Sequence, residues 1–224
     1  MSRLYIVPTP VGNLEDITLR AIRLLGEVDF ILCEDTRVTG KLLKHFDIDT
    51  KMLSFHQHNE HRVLRAIMSR LEEGQQLALL SDAGMPGISD PGFLLVRECA
   101  RVGIAIESLP GPTAFIPALV ASGIPCDRFC FEGFLPVKKG RQARLTNLAT
   151  ETRTMVFYES PHRLLKTLKE FGGVFGNDRT ACVSREISKI YETHHRGSLE
   201  ELTNEFSDRT IKGEITIIVG GHSD

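Results

Sequence analysis

The sequence predicts an α/β protein of two domains, and three observations carry that expectation. Short apolar runs of strand length alternate with segments of helical periodicity through the first half. A cluster of backbone breakers, Leu109-Pro110-Gly111-Pro112, separates that half from a second patterned region. With 224 residues, 42% of them hydrophobic, the chain can fill two cores of about 110 residues each. The expected division is 1–110, built on a parallel sheet, and 111–224, built on a mixed sheet.

Taken in order, Leu4-Tyr5-Ile6-Val7 reads as a strand. Asp16 reads as the N-cap of a helix carrying Leu19, Ile22 and Leu25. Phe30-Ile31-Leu32-Cys33 is a second strand, followed by a helix through Lys41-Leu42-Leu43 and a strand at Met52-Leu53-Ser54-Phe55. A helix from Asn59 to Leu71 places Val63, Leu64, Ile67 and Leu71 on one face. Strand Leu77 to Leu80, helix Leu94 to Val102 and strand Ile104 to Ile106 complete the first half. Beyond the breakers, Thr113 is expected to cap a helix through Phe115, Ile116, Leu119 and Val120. Strands follow at Phe129 to Phe131, Thr154 to Tyr158, Thr180 to Val183 and Ile215 to Val219, with helices at about 141–150, 161–171 and 198–206. No helix is legible between Val183 and Gly197, so a hairpin is expected there.

Composition excludes several classes. No run of about 18 apolar residues exists and the first residues lack a basic start before an apolar stretch, so neither a membrane span nor a secretory signal is expected, and the cytoplasm is the default compartment. Five scattered cysteines suit reduced thiols rather than a disulfide frame, and Cys126 with Cys130 has no second pair at zinc spacing. A net charge of −2 provides no general basic coat for nucleic acid, so any such contact must be local.

The stretch around which the chain is organised is Ser81-Asp82-Ala83-Gly84-Met85-Pro86-Gly87-Ile88-Ser89-Asp90-Pro91-Gly92, directly after a buried strand. In open α/β sheets ligands bind beyond the carboxyl ends of strands. Prolines stiffen this loop, glycines allow close approach to a ligand, and its polar groups are mainly carbonyls, which suit an uncharged or cationic partner. Val7-Pro8-Thr9-Pro10-Val11-Gly12-Asn13 occupies the first strand-to-helix turn, yet Pro8 and Pro10 each delete a backbone N–H, which argues against a phosphate cradle.

Cys33-Glu34-Asp35-Thr36-Arg37 can hold an acid/base pair or bind a hydroxyl, or equally cap the next helix with Arg37 paired on the surface. His56-Gln57-His58-Asn59-Glu60-His61 reads as a substrate contact, as a solvated helix start, or less well as a metal site lacking a fourth ligand. Lys138, Lys139, Arg141 and Arg144, four cations in seven residues behind an aromatic strand end, could neutralise RNA phosphates or form an ordinary helix surface. Tyr158-Glu159-Ser160-Pro161-His162-Arg163 and Lys212-Gly213-Glu214 fall at further probable sheet ends.

Together, Val7 to Thr18, Glu34 to Arg37, His58 to Glu60, Ser81 to Gly92, Pro110 to Ala114, Phe157 to Arg163 and Gly213-Glu214 resemble the 16S rRNA-methylating members of the tetrapyrrole methylase superfamily, nearly end to end and in order. The resemblance implies a two-domain tetrapyrrole-methylase-like fold, S-adenosylmethionine bound in the cleft between the domains, a homodimer, and methyl transfer to the ribose 2′-hydroxyl of a cytidine in the decoding region of 16S rRNA. Carried over by position, it implies a cofactor site at Val11, Gly84, Met85, Pro86, Ile88, Thr113, Ala114, Tyr158, Glu159, Gly213 and Glu214, with Asp82 supporting the central loop. The cofactor has no phosphates and carries a sulfonium cation, in keeping with loops poor in N–H donors. Candidates for handling the proton or the developing alkoxide are Glu34, Asp35, Arg37 and Glu60. Lys41, His58, Lys138, Lys139, Arg141, Arg144 and Arg163 are the candidates for substrate contact, and no metal is expected.

Met85 stands where the family pattern carries threonine, leaving a backbone-mediated site. The sequence reaches Asp224 without the C-terminal extension many members carry, and RNA contacts made by such an extension are left open. Competing readings are a methyltransferase acting on a tetrapyrrole or other small molecule, a non-catalytic module binding S-adenosylmethionine, and a metal-dependent hydrolase built on His56 to His61.

Overall fold

A computed structural model describes residues 2–222. The chain divides into two compact units, Met1–Thr113 and Ala114–Asp224.

Unit 1 contains strands β1 (Arg3–Ile6), β2 (Phe30–Cys33), β3 (Met52–Ser54), β4 (Gln76–Leu79) and β5 (Ala105–Ser108). They form one sheet in the order β3-β2-β4-β1-β5, and every pairing is parallel. The intervening helices are α1 (Leu19–Glu27), α2 (Thr36–His45), α3 (Glu60–Glu72) and α4 (Phe93–Val102). The period-two alternation of the central strands fixes which face each helix covers. Tyr5, Ile31, Cys33 and Ala78 pack with Leu24 and Leu25 of α1 and Leu42 and Leu43 of α2. Leu4, Ile6, Leu32, Leu77 and Leu79 pack on the other side with Ile67 and Leu71 of α3 and Leu95 and Cys99 of α4. Burial on both faces explains the near-continuous apolar runs of β1, β2 and β4.

Unit 2 contains α5 (Phe115–Ser122), β6 (Phe129–Phe134), α6 (Arg141–Leu148), β7 (Thr154–Glu159), α7 (Leu164–Phe175), β8 (Thr180–Arg185), β9 (Thr193–Ser198), α8 (Leu199–Ser207) and β10 (Ile215–Val219). Its sheet has the order β6-β7-β10-β8-β9 and is mixed: β6 and β7 are parallel, the other pairs antiparallel. The hairpin expected between Val183 and Gly197 is β8 with β9. One face carries Met155, Phe157, Val183 and Ile217 against Leu145, Phe171, Phe175 and Phe206 of the helices. Each fully buried side chain of this size contributes about 1.5–3 kcal/mol. Helix α5 covers the opposite face.

Two caps differ from expectation. Asp16 closes a short 3-10 turn, Leu14–Asp16, and it is Thr18 whose side chain accepts a bond from Ala21 N–H and starts α1. Thr113 does not cap α5, whose N-cap is Ala114 with no side-chain bond. Among the described residues no helix is long and apolar enough to cross a membrane.

Candidate active site

Because the sheet of unit 1 is parallel, the loops leaving β1, β2, β3 and β4 emerge at one end, and these loops hold most of the residues singled out in the sequence. The first and central loops are tied together. Thr9 N–H donates to Gly84 O and Gly84 N–H to Thr9 O, each at 2.9 Å, and Thr9 Oγ1 donates to Ser81 O at 3.0 Å. The central donors therefore point at each other's carbonyls, and with Pro8, Pro10 and Pro86 nearby no phosphate cradle forms. Gly84 has φ +80°, and a Cβ there would meet Val11 Cγ1 at 3.5 Å and Thr113 Cα at 4.0 Å. Val11, Gly84 and Thr113 are thus brought together as the resemblance implies. Pro86 is buried, Met85 is half-buried against the α3/α4 core, and Ile88 is exposed. This stiff, donor-poor surface fits an uncharged or cationic ligand, which is the chemistry of S-adenosylmethionine.

Beside it lies a depression of about 460 Å³, lined by Glu34, Asp35, Thr36 and Arg37 after β2, Ser54, His56 and His58 around the end of β3, and Asp82 after β4. Small-molecule sites span about 300–1,000 Å³. The acids have different environments. Asp35 is the N-cap of α2, accepting from Arg37 N–H at 2.8 Å and pairing with Arg37 Nη2 at 2.6 Å. Those bonds lower its pKa to about 2, which makes it a weak proton acceptor. Asp82 Oδ1 accepts from Asp35 N–H at 3.1 Å, so Asp82 supports the β2–α2 turn rather than its own loop. Glu34 is raised above the usual carboxylate range, chiefly by burial and then by the nearby Asp82. Asp90 is pushed up to about 6 by burial and by the charges of Glu34 and Asp82, against a hydrogen bond from Ser81. In the sequence Asp90 is one residue of the central loop; its proximity to two other acids is a property of the fold.

The histidines are organised by Asn59, a buried residue whose Oδ1 accepts from His56 N–H at 2.9 Å and whose Nδ2 donates to Ser54 O at 3.1 Å. His58 N–H donates to His56 Nδ1 at 3.2 Å, and the two rings stand 6.0 Å apart. Among the described residues no group of three His, Cys, Asp or Glu side chains is placed to hold a metal ion. Glu60 opens α3 and Lys41 is exposed on α2; neither lines the depression.

In unit 2, Tyr158 and Glu159 end β7, and Gly213 and Glu214 precede Ile215, the register partner of Glu159. These four positions therefore share one end of the mixed sheet. Tyr158 belongs to an aromatic row with Phe131 at 5.1 Å and Phe134 at 5.5 Å, and Phe115 stands 4.7 Å from Phe131. Such a row offers faces to a planar base or a cation. Only its periodic placement across three elements, not any local motif, could have marked it in the sequence. A Cβ on Gly213, at φ +90°, would overlap the Glu186 carboxylate, which accepts from Glu214 N–H and pairs with Lys189.

Three of the candidate side chains of unit 2 have partners within the unit. Glu159 is buried, accepting from Ser160 N–H and Thr167 Oγ1 at 2.7 Å each and pairing with Arg163 at 2.7 Å, so its carboxylate is committed within the unit rather than open to a cofactor. Arg163 is accordingly a partner of Glu159 rather than an open cation. Arg141 is 6% exposed and donates to Glu170 at 2.7 Å, Thr167 Oγ1 at 2.7 Å and Pro136 O at 3.2 Å, so it cannot meet a phosphate. Arg144 is exposed but pairs with Glu132, which leaves Lys138 and Lys139 as the exposed cations of that cluster with no carboxylate partner.

Comparison with known proteins agrees with this geometry. The family model of Tetrapyrrole (Corrin/Porphyrin) Methylases matches residues 3–203. Ribosomal RNA small subunit methyltransferase I of Escherichia coli O157:H7 is 50% identical, covering 98% of this chain and 78% of that protein. The protein of the same name from Thermotoga maritima is 46% identical, with 99% of both chains covered. Among solved structures, cobalt precorrin-4 methyltransferase superposes with a TM-score of 0.71 at 21% identity, over 97% of this chain and 94% of that one. Uroporphyrin-III-C-methyltransferase from Thermus thermophilus gives 0.69 at 19% identity, over 98% and 94%. At these identities the two structures speak to the fold.

Proposed function

The chain belongs to the tetrapyrrole methylase family, and within it to the ribosomal RNA small subunit methyltransferase I group, and from that premise we propose that it methylates the ribose 2′-hydroxyl of a cytidine in the decoding region of 16S rRNA. S-Adenosylmethionine is its cofactor, supplying a methyl group on a sulfonium. The observation that carries the reading is the depression lined by Glu34 and Asp82, among others, beside a loop with no phosphate cradle.

A ribose hydroxyl is a weak nucleophile, and in-line transfer needs its oxygen held about 3 Å from the methyl carbon. Glu34 and Asp90, the two carboxylates with raised proton affinity, are assigned the proton that leaves as the new bond forms. Arg37 and His58 on the rim are assigned to orienting the nucleotide, and Asp82 to holding the β2–α2 turn. For the cofactor, the proposal assigns Val11, Gly84, Met85, Pro86, Ile88 and Thr113 of unit 1, and on unit 2 Ala114, Tyr158, Gly213 and Glu214. The proposed partners are 16S rRNA in the small ribosomal subunit and a second copy of the chain, in the cytoplasm.

The test is incubation of the protein and methyl-labelled S-adenosylmethionine with small subunits from cells lacking the enzyme. Label should appear on one cytidine ribose of 16S rRNA. Label on a base, or transfer only to a tetrapyrrole, refutes the proposal.

A further inference from the structure

Among the described residues most arginines have a partner: a carboxylate, a carbonyl or an aromatic ring. The arginines with none are Arg62, Arg65 and Arg128. The first two are both exposed and three residues apart on α3, hence on the same face of that helix. They fall in the first two turns after His58, which lines the depression, and at about 1.5 Å per residue Arg65 lies only about 7 Å along the axis from Glu60. On the other side of the sheet, α2 exposes Lys41 two turns in, and no acidic residue occurs between Asp35 and Asp47. Since α2 packs in one core and α3 in the other, Lys41 and the two arginines lie on opposite sides of the sheet whose end carries the depression.

Carboxylates thus line the depression, and unpaired cations stand on the two helices that lead away from the loops around it. A nucleotide has the matching layout: a neutral sugar hydroxyl between anionic phosphates. We infer that unit 1 seats one unstacked nucleotide of a single RNA strand, its ribose over Glu34 and Asp82 and its flanking phosphates on Arg62 and Arg65 on one side and Lys41 on the other. This deepens the proposed function, and it moves the main phosphate contact away from residues 138–144. Holding phosphates on rigid helices fixes the strand's register without reading its sequence.

The test compares K41A/R62A/R65A with R23A/R101A/R209A, which removes the same charge from exposed, carboxylate-paired arginines. Binding of a labelled single-stranded fragment of 16S rRNA, and of the small subunit, is measured across salt concentrations without turnover. Loss of three phosphate contacts lowers the slope of log K against log salt by about 2, with affinity falling at least about tenfold, while the control stays within about twofold. Calorimetric titration with S-adenosylmethionine shows that the variant is folded. Equal affinity and slope in both variants overturn the inference, as does loss of subunit binding alone with RNA binding intact, which makes the rim a contact for acidic protein. RNA bound through the rim without methyl transfer refutes the proposed reaction and leaves the rim standing.

Discussion

Residues 138–144 pack four cations into seven positions, whereas those of α2 and α3 are scattered from Arg37 to Arg65, and it is in the dense set that the fold engages both arginines, burying one of them. Arg141 is enclosed by Glu159, Glu170 and Thr167, and Arg144 is held by Glu132. Arg62, Arg65 and Lys41 are exposed and have no carboxylate partner. Density along a sequence thus says little about which charges are open. What decides is whether the elements packed alongside bring carboxylates, and α7 brings Glu170 to Arg141 while nothing brings one to Arg62.

The largest expected effect tests the enclosed side of this contrast. Arg141→Met removes a buried guanidinium that bonds Glu170 and Thr167 Oγ1, while Arg163 still pairs with Glu159, and losing such charged hydrogen bonds costs about 2–3 kcal/mol. Arg62→Met removes an unpaired surface charge and should change stability by less than about 0.5 kcal/mol. Urea unfolding followed by circular dichroism measures both. Similar losses for the two variants would erase the distinction between enclosed and open cations.

A second expectation concerns an acid close to Glu34 and Asp82 of the open site. Asp90 binds its proton more tightly when folded, with a pKa of about 6, than when unfolded, where it lies near 3.8. Its contribution to stability is therefore most favourable below about pH 4 and is lost as pH rises through 6. Asp90→Asn keeps the group neutral and should stabilise unit 1 by about 1 kcal/mol at pH 7, after allowance for solvent screening, with no gain at pH 4. A gain independent of pH would mean that packing, not charge, is responsible. Methyl transfer by this variant should also lose part of its rise between pH 5 and 7 if Asp90 shares the proton with Glu34.

How far the sequence revealed these features follows from their range along the chain. The strands were legible because β1, β2, β4 and β10 are apolar runs bounded by breakers, and the β8–β9 hairpin because no helical period crosses 183–197. Asp16 and Thr18 are both good cap residues two positions apart, and only the 3-10 turn started by Asn13 decides between them. The joining of Val11, Gly84 and Thr113 was reached through family resemblance, since no local rule links a loop at residue 9 to one at 84. The bond from Asp35 N–H to Asp82, the grouping of Asp90 with Glu34, and the enclosure of Arg141 all join residues far apart in sequence, so periodicity carried no trace of them.

The smallest expected effect lies between the two extremes. Arg144 has a side chain 52% exposed and its partner Glu132 one that is 9% exposed, so the pair is neither enclosed like Arg141 nor open like Arg62. Half of the guanidinium's solvation survives, and salt screens the pair, so a double-mutant cycle with Arg144→Ala and Glu132→Gln should give a coupling of about 0.5 kcal/mol that shrinks at high salt. If the coupling instead exceeds about 2 kcal/mol and ignores salt, Arg144 belongs with Arg141 as part of the unit's interior. If it is zero, the guanidinium is as available as those of α3, and residues 138–144 regain a place in RNA binding alongside Lys138 and Lys139.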